Sequence, residues 1–167
     1  MATAQKNLSV IEGTIPSAAD MRFGIVVSEW NAEITNALSK GAYETLLKYG
    51  ALKENIIKVS VPGTFELTLG AQLMAENGDV DAVICLGCVI QGETPHFNFI
   101  CQGVTQGLTT LNMEYNMPIV FGVLTTNNLE QAQDRAGGKH GNKGDEAAVT
   151  AIKMVSLQLN LEEFAEV

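Results

Sequence analysis

Four segments of strand length in this chain are mostly apolar and rich in β-branched residues: MRFGIVVS (21–28), NIIKVSV (55–61), DVDAVICLGCVI (79–90) and PIVFGVLTT (118–126). Strands that are apolar throughout, rather than on alternate positions, are the mark of a parallel sheet covered on both faces. The intervening segments carry a different period. From Asn31 to Tyr49 the apolar residues Ile34, Ala37, Leu38, Ala42, Leu46 and Tyr49 recur every three or four positions, as on one face of a helix. Asn31 is placed to cap that helix and Gly50 to stop it. Further helices are expected from Pro62-Gly63 to about Asn77, from about Phe97 to Tyr115, and from about Lys143 to Phe164. A short one reaching Ala136 opens on a capping box of Asn127 and Glu130. This alternation with short connections predicts a three-layer α/β fold with right-handed crossovers and helices on both faces of the sheet. Ligands in such folds collect beyond the carboxyl ends of the strands, so residues 28–31, 62–66, 88–96 and 121–127 are the segments to search.

Length and charge narrow the partners. At 167 residues the chain is expected to form one domain over 1–167, since roughly 150 residues per domain is usual. A net charge of −9 without a basic face argues against non-specific nucleic-acid binding. No apolar run approaches the roughly 20 residues of a membrane span. MATAQKNLSVIEG is polar where a secretion signal would be apolar, and the odd count of three cysteines fits a reducing compartment; a cytoplasmic location is expected. Residues 1–20, with Leu8, Val10, Ile11 and Ile15, lie outside the alternation and could form an edge strand here or on a neighbouring subunit.

Few residues are equipped for chemistry. Cys85 and Cys88 form a CxxC pair, but on a strand side chains three apart point to opposite faces. They read as small core residues, and no metal site is expected. His96, in GETPHF after the third strand, is either a proton carrier or an exposed loop histidine; His140, in GGKHGNKG, reads as a solvated loop residue. Arg135, Lys139 and Lys143 form a basic island interleaved with glycines 137, 138, 141 and 144. Lys143 opens a helix, where the dipole favours anions. The island suits a phosphate, or is a solvated loop with a helix-end charge. Trp30, just past the first strand, offers a face for a planar heterocycle or packs at the rim. Glu66 is a helix-start charge or an acceptor for ligand hydroxyls. Phe121 alone reads as core.

The segments SEWN, VPGTFEL, LGCVIQGETPHF, PIVFGVLTT and QAQDRAGGKHGNKG, in this order and spacing, resemble the lumazine synthase family over about residues 8–156. The resemblance implies a flavodoxin-like fold and a cofactor-free condensation. In it, 5-amino-6-(D-ribitylamino)uracil joins 3,4-dihydroxy-2-butanone 4-phosphate to give 6,7-dimethyl-8-ribityllumazine, phosphate and water. It also implies a homo-oligomer, a pentamer that in some relatives builds decamers or 60-mers, with active sites between adjacent subunits. Carried over, Trp30 would stack on the pyrimidine, where many relatives have phenylalanine. Thr64, Phe65 and Glu66 would hold the ring and ribityl chain, and Cys88, Val89 and Ile90 would supply backbone contacts. Glu93 and Thr94 would belong to the phosphate pocket, and His96 would transfer protons. Phe121 would arrive from the neighbour to cover the ring. Arg135, oriented by Glu146 and helped by Lys143, would bind the phosphate.

Overall fold

The computed structural model describes residues 14–165. Four parallel strands, β1 (Phe23–Ser28), β2 (Ile56–Val61), β3 (Ala82–Ile90) and β4 (Ile119–Thr126), lie in the order β2-β1-β3-β4. The helices between and after them are α1 (Ala32–Lys48), α2 (Leu67–Asn77), α3 (His96–Tyr115), α4 (Leu129–Gln133) and α5 (Lys143–Ala165). The three-layer arrangement expected of the sequence is the one found. On one face Ile34, Leu38 and Leu46 of α1 and Ala148, Ala151 and Ile152 of α5 pack on Phe23, Ile25 and Ile84. On the other, Leu67, Ala71 and Met74 of α2 and Val104, Leu108 and Leu111 of α3 pack on Val26, Val83 and Cys85. Cys85 therefore belongs to one core and Cys88 to the other, as the period of two along a strand demands.

The strands are not covered equally. β1 is buried at all six positions and β3 at its first seven, but in β2 Ile57, Lys58, Val59 and Ser60 are all exposed. Lys58 and Ser60 already interrupt that run in the sequence, and β2 lies at the sheet edge. Of the segment 1–20, residues 1–13 lie outside the described residues; 14–20 form no strand, and Ile15 packs against the α1/α5 core.

Three local expectations shift. Asn31 stands at the start of α1 without a side-chain cap bond. The cap of α4 is Asn128, not Asn127: Asn128 Oδ1 accepts the Gln131 N–H at 2.9 Å, while Gln131 Oε1 accepts the Asn127 N–H at 3.0 Å. The arrangement resembles a capping box moved one residue later with a glutamine as the partner, except that the Gln131 side chain reaches back to the N–H before the cap and not to that of Asn128. The glycine-rich stretch read as loop contains a small antiparallel hairpin, β5 (Ala136–Gly138) and β6 (Gly141–Asn142).

Candidate active site

The strand order reverses direction between β1 and β3, and a doubly wound sheet opens its ligand crevice at that point. A cavity of about 650 Å³ lies there, lined by Trp30, Asn31, Thr64, Phe65, Glu66, Cys88, Val89, Ile90 and His96, with Gly63 and Ile100. Each wall has a local cause. The Glu29 and Trp30 N–H groups donate to the Val61 and Pro62 carbonyls at 2.9 and 3.2 Å, extending the β1–β2 pairing into the turn. Trp30 emerges from it 73% exposed. Thr64 is buried beneath, against Gly87, where a Cβ would come 2.8 Å from its Oγ1. Phe65 lies over Gly103 of α3, and Glu66 stands exposed at the start of α2. β3 runs past its partner: its pairing with β1 ends at Val27↔Leu86, while that with β4 continues to Ile90↔Thr126. The Cys88 carbonyl accepts from Asn31 Nδ2 at 2.9 Å. His96, the first residue of α3, is exposed at the rim.

A second cavity, about 690 Å³, runs along the outer strand β4 and the start of α5; Phe121, Thr125, Arg135, Lys143 and Glu146 are among its lining residues. No residue lines both cavities. Phe121, which reads as core on position alone, is 41% exposed, because β4 is the sheet's other edge. The hairpin brings the two cations together: Ala136 pairs with Asn142, and the Lys143 N–H donates to the Arg135 carbonyl at 2.9 Å. The charges of the island are not equivalent. Lys139 pairs with Asp134 at 2.6 Å and Lys143 with Glu146 at 2.5 Å. Arg135 Nη1 donates to the Gln131 carbonyl at 2.9 Å. Glu146, expected to orient Arg135, is engaged by Lys143, one helical turn away, and the Arg135 guanidinium donates to a backbone carbonyl.

The remaining candidates lie apart. Glu93 and Thr94 sit in the exposed loop between β3 and α3, and neither lines either cavity. His140 is half-buried, with its N–H on the Asp134 carbonyl. Burial pushes the Cys88 thiol up to about 11 and the Cys85 thiol higher still, so both are neutral core groups at physiological pH. One contributor escaped the sequence reading. Asn142 accepts the Gly144 N–H at 2.8 Å, capping α5, and donates to the Ala37 carbonyl of α1 at 2.9 Å. An asparagine followed three and four positions later by Asp145 and Glu146 is a helix-start signature that would have found it.

Fold and cavities together define a doubly wound, flavodoxin-like α/β protein with an aromatic cleft at its switch point and a separate basic cavity on its outer strand. Residues 20–158 match the family model described as 6,7-dimethyl-8-ribityllumazine synthase. A protein of that name from Cytophaga hutchinsonii is 64% identical over 156 residues, spanning 93% of this chain and 98% of its own length. Others from Parabacteroides distasonis and Porphyromonas gingivalis are each 57% identical, over 93% and 95% of this chain and 98% and 99% of their own lengths. The chain belongs to the lumazine synthase family.

Proposed function

We propose that this chain condenses 5-amino-6-(D-ribitylamino)uracil with 3,4-dihydroxy-2-butanone 4-phosphate, at a site where the Trp30–His96 cleft of one copy meets the Phe121–Arg135 cavity of another. The observation that carries this reading is the division of labour: residues suited to one two-substrate reaction line two cavities of a single chain that share no residue. The cleft suits a planar ring with a hydroxylated tail, through the faces of Trp30 and Phe65, the Glu66 carboxylate and the backbone of Cys88–Ile90. The basic cavity suits the phosphate, with Arg135 as a planar, permanently charged fork and Lys143 beside it. Phe121 closes over the ring. Glu93 and Thr94 border the phosphate from their loop once the neighbour is in place.

The chemistry is a series of additions and eliminations. The uracil's amine attacks the ketone carbon, and the carbinolamine loses water to an imine. Loss of phosphate leaves an enol that tautomerises to a ketone. The second amine then closes the ring, and a second water departs. Each step moves a proton, which His96 can take and return at the rim of the cleft. Arg135 stabilises the phosphate both bound and leaving. Holding the two substrates together contributes on its own, since positioning alone supplies roughly 7–11 kcal/mol in favourable cases.

The chain acts as one domain within a homo-oligomer, read as a pentamer from which larger shells can be built. Exposed apolar side chains support this: Phe99 is 69% and Met113 81% exposed on α3, and Leu69 and Leu73 are exposed on α2. No helix among the described residues is long and apolar enough to cross a membrane. Buried free thiols support a reducing, cytoplasmic setting. The test is to mix the protein with both substrates and follow the fluorescent product beside the uncatalysed reaction. Acceleration well above that background is expected, with His96→Ala slower by on the order of 10²-fold and assembly unchanged. A background rate from folded, assembled protein would overturn the enzyme reading in favour of a binding protein.

A further inference from the structure

Asn31 occupies the left-handed region of backbone space, with φ 59° and ψ 47°. Residues with a Cβ seldom rest there, and asparagine does so chiefly because its short carboxamide can bond to nearby backbone. Here the carboxamide leaves its own helix uncapped and crosses to the next strand, where Nδ2 donates to the Cys88 carbonyl at 2.9 Å. Its own carbonyl meanwhile accepts the N–H groups of Ile34 and Thr35 at 2.8 and 3.0 Å, anchoring the first turn of α1. The preceding residue, Trp30, is fixed from the opposite side by its N–H on Pro62. The tie also falls beyond Val27↔Leu86, where β1 and β3 have stopped pairing.

We infer that Asn31 is a positioning residue: its left-handed turn and its bond to Cys88 hold the Trp30 indole and the end of β3 at a fixed spacing, so that the ring-binding wall of the cleft is formed before a planar substrate enters. The inference rests on reading the cleft as the heterocycle site. A wall ordered in advance removes an ordering cost from binding, so the effect belongs to the ring substrate and not to the phosphate substrate. No such role follows from a cap, since the cap bond is missing.

Two variants separate the backbone from the tie. Asn31→Gly keeps the turn free of steric cost and removes the carboxamide. Asn31→Asp keeps the size and tolerance of the turn but sets an acceptor against the Cys88 carbonyl. Both are expected to assemble normally and to raise KM for the ribitylaminouracil about three- to tenfold, the worth of one hydrogen bond, with KM for the butanone phosphate unchanged. The lone tryptophan supplies a readout independent of turnover: its steady-state fluorescence anisotropy should fall in both variants without ligand. Unchanged ring-substrate KM and unchanged anisotropy would overturn the inference, as would an equal rise in both KM values or loss of assembly, which mark a merely structural residue. Should the parent prove inactive, the anisotropy alone still decides the positioning role.

Discussion

Arg135 and Lys143 share a cavity but not a state. The Lys143 ammonium is matched by Glu146 and sits largely out of solvent, whereas the Arg135 guanidinium has a backbone carbonyl as its partner and keeps its full charge for an incoming anion. Arg135→Ala should therefore raise KM for the butanone phosphate by on the order of 10- to 100-fold, as losing a charged hydrogen-bonding partner does, while KM for the ring substrate changes little. Unchanged affinity in initial-rate assays would remove Arg135 from the phosphate site. The cysteines allow a second check. With Cys88 pushed up to about 11 and Cys85 higher by burial alone, neither supplies thiolate at pH 8. Ellman's reagent should titrate Cys85 and Cys88 only after unfolding; fast native labelling of either would show that the core opens. At this scale the sequence revealed the residues and not their partners. The basic island was plain in the spacing of 135, 139 and 143, but which charge lacked an acidic partner among the described residues depended on Asp134 and Glu146, whose reach only the folded backbone determines.

At the level of elements, the four strands and the long helices were legible because burial on both faces leaves an apolar run, and burial on one leaves a helical period. The hairpin β5–β6 was not, since its glycines carry no side chains from which a period could be read. Its consequence is large for its size: it turns residues eight apart into neighbours. Gly144, one of the glycines interleaved with the basic island, has a packing role. A Cβ there would come far inside van der Waals contact distance of the Leu38 carbonyl oxygen, so glycine lets α5 lie directly against α1. Gly144→Ala should force the two helices apart and destabilise the chain by about 1–3 kcal/mol, the range for overpacking. Thermal unfolding would show a lowered Tm, and an unchanged Tm would mean that the contact yields freely. The capping of α4 makes a related point: an Asn-Asn pair presents two caps of equal chemistry, and only the turn geometry selects Asn128.

The molecule as a whole leaves much apolar surface uncovered. Trp30, Phe65, Phe99, Met113 and Phe121 are exposed, and patches of that kind mark contacts with other protein surfaces. Among the described residues no strand pairs with the outer edge of β2, which adds backbone groups to the account. None of this was visible in composition, because an apolar side chain left at the surface counts the same as one already buried. The two cavities, one at the switch point and one on the outer strand, have a genetic corollary. A chain damaged in one cavity still carries the other intact. With the site formed between copies as proposed, His96→Ala and Arg135→Ala chains, each impaired alone, should rescue one another when co-expressed in the same cell. Random mixing at equal dose leaves about a quarter of the subunit contacts with two sound halves, so mixed particles should recover roughly that share of wild-type turnover. Recovery of nothing would place both cavities' work within one chain, and two defective alleles of this gene would then never make a functional organism between them.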